Sequence, residues 1–367
     1  MTSVNDVEDR LAGGVIVGGF DGTTLPDALR ERLAHGHLAG VTLFRRNITD
    51  VSQVRALCAS IAGAARDPPP IISIDQEGGR VARLREEVTL LPPMRVLGEI
   101  NDPALTRRAA LAVGRELAAL GVNLNFAPVC DVDSNPANPI IGDRAFGRDA
   151  ETVSRHVVAF VEGLEDAGLM GCAKHFPGHG DTETDSHLEL PRVAHGIERL
   201  ERVELPPFRA AIHAGVASVM TAHVLFDAID PTLPATLSRE AITGLLREGV
   251  AARRDLVIFS DDLHMKSVSE RWGVEDAAVR AIAAGCDALL VCVDPDSQER
   301  VRQALAARAR VDEAFAARLR DAHDRVVRMR RRAPPSPVAD DRALFEVLRC
   351  PEHLAVLEEI RERIADR

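Results

Sequence analysis

Apolar residues in this chain follow two rhythms. Short runs that are apolar at nearly every position recur at Gly14–Val17, Gly40–Leu43, Ile71–Ile74, Asn123–Phe126, Gly171–Lys174, Ser218–Thr221, Leu256–Phe259 and Ala288–Cys292. Such runs suit strands covered on both faces. Between them lie longer stretches with the helical period. These are Val51–Ala65 behind an Asp50 N-cap, Pro103–Leu120, Ala150–Ala167 ending at Gly168, Leu205–Ala214 and Val274–Ala284. Eight strands alternating with helices predict the α/β class and a parallel sheet closed into a (β/α)8 barrel of the TIM type. The alternative is an open doubly wound sheet, which wants a G-x-G-x-x-G fingerprint after its first strand. Gly13-Gly14 and Gly18-Gly19 flank that strand without forming the fingerprint, and read as turn glycines.

Beyond the eighth strand, Asp296–Arg308 and Val311–Arg332 predict two more helices, and Pro334-Pro335-Ser336-Pro337 a stiff linker. Arg342–Leu348 and Glu352–Ile364 then read as a helical tail too short to build its own core. The expected organisation is a barrel over residues 1–332, with a linker and docked tail over 333–367.

Composition narrows the function classes. The chain has 367 residues, 46% of them hydrophobic and 28% charged, which excludes a largely disordered polymer. Acids outnumber bases by 56 to 45, for a formal charge of −11, which argues against nonspecific nucleic-acid binding. The one basic run, Arg325, Arg328, Arg330, Arg331 and Arg332, reads as a solvated helix C-terminus. The most apolar early stretch, Leu11–Phe20, is half the ~20 residues a membrane span needs. The polar start Met1–Arg10 lacks the pattern of a signal peptide, so a cytoplasmic address is expected. Six cysteines without a CxxC pair read as reduced core thiols, not as disulfides or zinc ligands.

Ionisable residues gather where the predicted strands end. Asp75, Lys174, His175, His223, Asp261 and Asp262 all close or follow a strand, and in a barrel those ends share the face that carries the active site. The densest segment is Lys174–His187, with three histidines, three acids and a lysine, and with Pro177, Gly178 and Gly180 turning it into a shaped loop. Two chemistries compete there. One is a metal site from His175, His179, Asp185 and His187 with Asp261, although neither H-x-H nor H-E-x-x-H occurs in the loop. The chain's one H-x-H, His35-Gly36-His37, lies ahead of the second strand, at the opposite end of the barrel. The other chemistry is acid–base catalysis by Asp185 and His187, with Asp261 or Asp262 as a separate nucleophile.

Several stretches, in order, resemble glycoside hydrolase family 3, in particular its bacterial β-N-acetylglucosaminidase branch. They are Ile74–Val81, Gly121–Val129, Ile141–Gly147, Lys174–His187, Met220–Val224 and Phe259–Leu263. The resemblance implies a lone barrel and a retaining two-step hydrolysis without metal or cofactor. It implies Asp261 as the nucleophile, His187 as the general acid/base oriented by Asp185, and Asp75, Arg144, Lys174 and His175 around the sugar. Asp262 reads as a helix-start acid, His223 as a pocket or supporting residue, and His179, Asp181 and Thr182 as shaping the loop. The implied substrate is a small glycan, terminal N-acetylglucosamine on an anhydro-muropeptide released in cell-wall turnover. A β-glucosidase or a phosphorylase is the alternative within the family. A metallohydrolase and a non-catalytic sugar sensor are the alternatives outside it. With no Tyr, one Trp and aromatics at 3%, sugar recognition is expected to rest on hydrogen bonds, and Trp272 fits core or rim equally.

Overall fold

The computed structural model describes residues 4–182, 190–251, 253 and 255–366. Eight parallel strands close into a barrel: β1 Ile16–Gly18, β2 Gly40–Leu43, β3 Ile71–Ile74, β4 Leu124–Asn125, β5 Met170–Phe176, β6 Ser218–Thr221, β7 Val257–Asp262 and β8 Ala288–Val291. Each strand pairs with its neighbours in the chain, and β1 completes the ring on β8 through Ile16 opposite Leu289. This is the expected closed barrel, and the open-sheet alternative falls away.

Local departures from the expected strands have identifiable causes. The first strand begins two residues late because a helix, Val4–Gly13, runs up to it and Gly14 N–H still bonds the Arg10 carbonyl. Strand β4 is only two residues long because side chains replace its ladder at both ends. Asn123 Oδ1 accepts from Ile72 N–H at 2.7 Å, and Asn125 accepts from and donates to the Gln76 backbone at 3.0 Å. The paired glycines near β1 serve close approach, not turns. A Cβ on Gly13 would stand 2.3 Å from the His37 backbone, and one on Gly19 would stand 2.1 Å from the Cys292 carbonyl oxygen.

The helices legible in the sequence mostly begin at an aspartate that accepts from the first turn, as Asp50, Asp102, Asp149, Asp294 and Asp312 do. Those the pattern misses include Asp27–His35, Met94–Ile100, Ile197–Arg202 and Lys266–Trp272. They follow Pro26, Pro93, Gly196 and Met265, which supply no capping side chain.

The foot of the barrel is plugged. Helix Glu313–Arg332 sends Val326 and Met329 into a cluster with Val17, Ile71, Met170 and Val257 from the strands. Arg328, Arg331 and Arg332 at its end are exposed, as expected of a solvated basic run, but Arg330 and Arg325 depart from that expectation. Arg330 is buried and donates to the Pro69 and Pro68 carbonyls at 2.6 and 2.7 Å, and burial pulls its pKa down to about 10. Arg325 reaches towards the buried carboxylate of Asp287, at 3.7 Å. The tail helices Asp341–Val347 and Pro351–Ala365 pack on helix Pro103–Leu120, with Arg108–Glu359 and Arg363–Asp102 ion pairs at 2.8 Å. All six cysteines are free thiols, five of them buried. Trp272 is half-buried against the core. Among the described residues no helix is long and apolar enough to cross a membrane.

Candidate active site

The C-terminal ends of the strands surround a cavity of about 500 Å³, lined by residues from β2, β5, β6, β7 and β8 and from the segments that follow the strands, most of them those after β3 and β4. Asp75 follows β3 directly. The chain then forms a hairpin, Gln76–Gly78 against Val81–Ala82, which brings Glu77 to the same pocket. Lys174 and His175 lie within β5, and Arg144 ends a one-turn 3-10 helix, Gly142–Arg144, beyond β4. Asp261 and Asp262 close β7.

Five charged groups form one network on the pocket wall. Lys174 Nζ stands 2.7 Å from Asp75 Oδ1 and 2.6 Å from Glu77 Oε1. Arg144 holds Glu77 with two bonds, Nε to Oε2 at 2.9 Å and Nη2 to Oε1 at 2.8 Å. Arg83 donates to Asp75 Oδ2 at 2.9 Å. Burial alone would push both carboxylic acids towards neutrality. For Asp75 the charges of Lys174 and Arg83 outweigh it, and its pKa lies well below the carboxylate range. For Glu77, Arg144 and Lys174 do the same and bring it to about 2. Burial works against the charged Lys174 in turn, and Asp75 and Glu77 overcome it, so its pKa is raised. The wall is therefore a fixed set of charges at neutral pH, with donors and acceptors of both signs lining one cavity.

His175 is set by a carboxylate that no solvent reaches. Asp131 Oδ2 faces His175 Nδ1 at 2.7 Å, and its Oδ1 accepts from the His179 N–H at 2.7 Å. The Nδ1–H therefore points at Asp131, which leaves Nε2 for other partners. His179 bonds Thr182 Oγ1 through Nδ1 at 2.8 Å. Burial, with His175 nearby, lowers its pKa to about 4, so it stays neutral. Asp181 holds His195 and accepts from Ser134 Oγ. These contacts fold the first half of the Lys174–His187 loop.

Asp261 lines the pocket, and its Oδ1 accepts from the Asp262 N–H at 2.8 Å. Burial would raise its pKa, but His223 and His175 face it and the net shift is downward, so it is a carboxylate at neutral pH. Its neighbour does something else. Asp262 Oδ1 accepts from the backbone amides of His264 and Cys292, both at 3.2 Å, and ties the β7 and β8 ends together. His223 bridges Thr236 Oγ1 at 2.8 Å and the Asp262 carbonyl at 3.1 Å.

The structure thus brings Asp75, Arg144, Lys174, His175 and Asp261 to one cavity. Asp185 and His187 lie outside the described residues. Among the described residues no group of three or more His, Cys, Asp and Glu side chains is disposed to hold a metal ion. Sequence reasoning assigned no role to Glu77, Arg83 or Asp131. A signal existed for two of them. Glu77 sits two residues from Asp75, and the strand period of two puts both carboxylates on one face. Asp131 directly follows the apolar run Phe126–Cys130, and a charge that continues a core run demands a partner.

A sequence profile of the glycosyl hydrolase family 3 N-terminal domain matches residues 13–329. The chain belongs to glycosyl hydrolase family 3. It is accordingly a glycoside hydrolase, and the family 3 match takes in every strand of the barrel while stopping short of the tail. A β-hexosaminidase of Nitrosomonas eutropha is 41% identical over 290 residues, 77% of this chain and 82% of that protein. A family 3 β-N-acetylglucosaminidase structure from Paenibacillus sp. FPU-7 superposes with a TM-score of 0.89 at 41% identity, covering 97% of this chain and 68% of that one. NagZ from Neisseria gonorrhoeae, solved with N-trifluoroacetyl-D-glucosamine, does so at 0.80 and 33% identity, covering 96% of this chain and 97% of its own.

Proposed function

We propose that the protein is a retaining exo-β-N-acetylglucosaminidase that removes terminal β-linked N-acetylglucosamine from small glycans. The observation that carries this reading is an ionised Asp261 in the same cavity as the Asp75–Lys174–Glu77–Arg144 network. The similarity to proteins named β-hexosaminidase, and to a NagZ structure holding an N-acylated glucosamine, supports the sugar assignment.

Asp261 attacks the anomeric carbon, and the glycosidic C–O bond breaks as the glycosyl–Asp261 ester forms. His187, oriented by Asp185, gives its proton to the departing oxygen, then takes a proton from the water that cleaves the ester. A neutral imidazole carries no charge to repel an approaching acceptor, which distinguishes it from the second carboxylate of most retaining glycosidases. Asp75 accepts from ring hydroxyls, Arg144 and Lys174 donate to hydroxyl or acyl oxygens, and His175 offers Nε2. Aglycones from peptidoglycan, handled in the cytoplasm during cell-wall turnover, fit this reading.

The test is release of p-nitrophenol from the β-N-acetylglucosaminide and the β-glucoside by wild type and Asp261→Ala, with and without phosphate. The N-acetylglucosaminide should be preferred, phosphate should not be required, and the variant should be inert while still folded. Preference for the glucoside, dependence on phosphate, or activity in Asp261→Ala would each overturn the corresponding part of the reading.

A further inference from the structure

The hairpin that carries Glu77 is held from behind by a segment that the C-terminal tail helps to fix. Gly79 N–H bonds the Leu91 carbonyl at 2.9 Å, and a Cβ on Gly78 would stand 2.7 Å from the Pro92 carbonyl oxygen, so the hairpin turn rests directly on residues 91–93. Gln76 adds a second tie, accepting from the Arg83 and Leu84 amides and donating to the Leu84 carbonyl. The supporting segment is in turn anchored at Thr89. Both its N–H and its hydroxyl donate, at 2.6 Å each, to Glu116 of helix Pro103–Leu120.

Glu116 is buried, and its remaining capacity goes to the tail. Its Oε1 accepts from the Arg349 backbone amide at 2.8 Å and from His353 Nδ1 at 2.8 Å. Arg349 lies between the two tail helices at a φ of +50°, a conformation an L-residue adopts only under constraint. On the solvent side, Leu357, Ile360 and Ile364 of the last helix share a cleft with Gly79, Leu90 and Leu91. One carboxylate therefore joins the tail, the helix and the segment beneath the sugar-binding hairpin.

We propose that Glu116 is a positioning residue for the substrate pocket, acting through Thr89 and the 89–93 segment to hold the hairpin that presents Glu77. The C-terminal tail is thereby part of the support of the sugar site. The inference rests on the proposed function for its kinetic readout. A glutamine at this position has one acceptor oxygen, so its NH2 group must face donors that the carboxylate now accepts from. The hairpin then loosens, and with it the placement of Glu77, Arg144 and Lys174, which act on the bound sugar.

The experiment compares wild type, Glu116→Gln, Thr89→Val and Asp287→Asn. Asp287 is the control because it too is a buried carboxylate, holding Arg247, Arg318 and the Ile258 amide at the foot of the barrel. For Glu116→Gln, KM for the p-nitrophenyl N-acetylglucosaminide should rise about tenfold with kcat changed less than about threefold, within the usual range of coupling through packed networks. Thr89→Val should move KM the same way by a smaller factor, and it carries the test if Glu116→Gln fails to fold. Asp287→Asn should lower Tm while leaving KM unchanged. Hydrogen exchange over residues 76–82, read without substrate, should quicken in Glu116→Gln and Thr89→Val but not in Asp287→Asn. This arm stands even if the sugar assignment fails. Unchanged exchange and KM in folded Glu116→Gln, or equal changes in Asp287→Asn, would overturn the proposal.

Discussion

Replacing Glu77 by glutamine removes one negative charge from the pocket network and almost no volume. The amide keeps one oxygen for Arg144 or Lys174, but its NH2 group then points at a donor. With its oxygen in the Oε1 place the amide keeps Lys174 and Arg144 Nη2, but without the full charge, and its NH2 group faces Arg144 Nε, so that arm of the two-bond contact is lost. Removing one partner of a buried ion pair costs about 3–5 kcal/mol. A second route gives a similar figure. Glu77 titrates near 2 instead of its ordinary 4.5, and at about 1.4 kcal/mol per pKa unit this is about 3 kcal/mol of stability. Because the folded pKa is depressed, that stability is fully present above pH 4.5 and disappears as pH falls towards 2. In a chain of 367 residues the loss corresponds to a Tm drop of about 4–6 °C. The assay is thermal unfolding of wild type and Glu77→Gln from pH 7 to pH 3. The gap between the two should be widest at neutral pH and narrow below pH 4.5. A gap that stays constant across that range, or one below about 1 °C at pH 7, would refute the claim that the charge of Glu77 organises the wall.

Other outcomes follow from the same geometry. On the proposed mechanism glycosylation draws its proton from His187, so kcat/KM should fall on an alkaline limb as that imidazolium deprotonates. Asp261 and Lys174, shifted down and up respectively, contribute no limb between pH 5 and 9. His187→Ala should abolish that alkaline limb and cost about 10²–10⁴ in rate with natural leaving groups, less with p-nitrophenol. A limb that persists in this variant would remove His187 from the role. Asp131→Asn should weaken binding of N-acetylglucosamine about tenfold by freeing His175, a displacement of the size that misplaced pocket groups produce, and calorimetric titration checks it. Exhaustive chelation should leave turnover intact, and activity lost and then restored by zinc would reinstate the metal reading.

The barrel was legible because its strands are nearly unbroken apolar runs and its longer helices begin at capping aspartates, both of which are local signals. Asp75, Lys174, His175 and Asp261 were legible for a related reason, since each polar residue falls where an apolar run stops. Arg144 came into view through its motif, not through its place in a strand. What remained hidden depends on distant pairs. Glu77 matters because Arg144, 67 residues away, closes on it. Asp131 matters because His175 lies across the β4–β5 junction. Arg330 looked like one more surface charge until the carbonyls of Pro68 and Pro69 were seen to receive it. Uncapped helices such as Met94–Ile100 were hidden because tertiary packing, not their own ends, holds them.

The pairing of β1 with β8 also bears on how the chain is made. Ile16 emerges from the ribosome about 270 residues before Leu289, the residue it pairs with. During that interval the free edge of β1 has only β2 beside it, while the plug at the barrel's foot, Val326 and Met329, arrives later still. Until β8 is made, any sheet that β1 joins has an unpaired edge and an uncovered apolar foot, features that favour the wrong neighbour. The strand that closes the ring is thus among the last parts of the barrel to be made, and a chain that stops before residue 288 lacks it altogether.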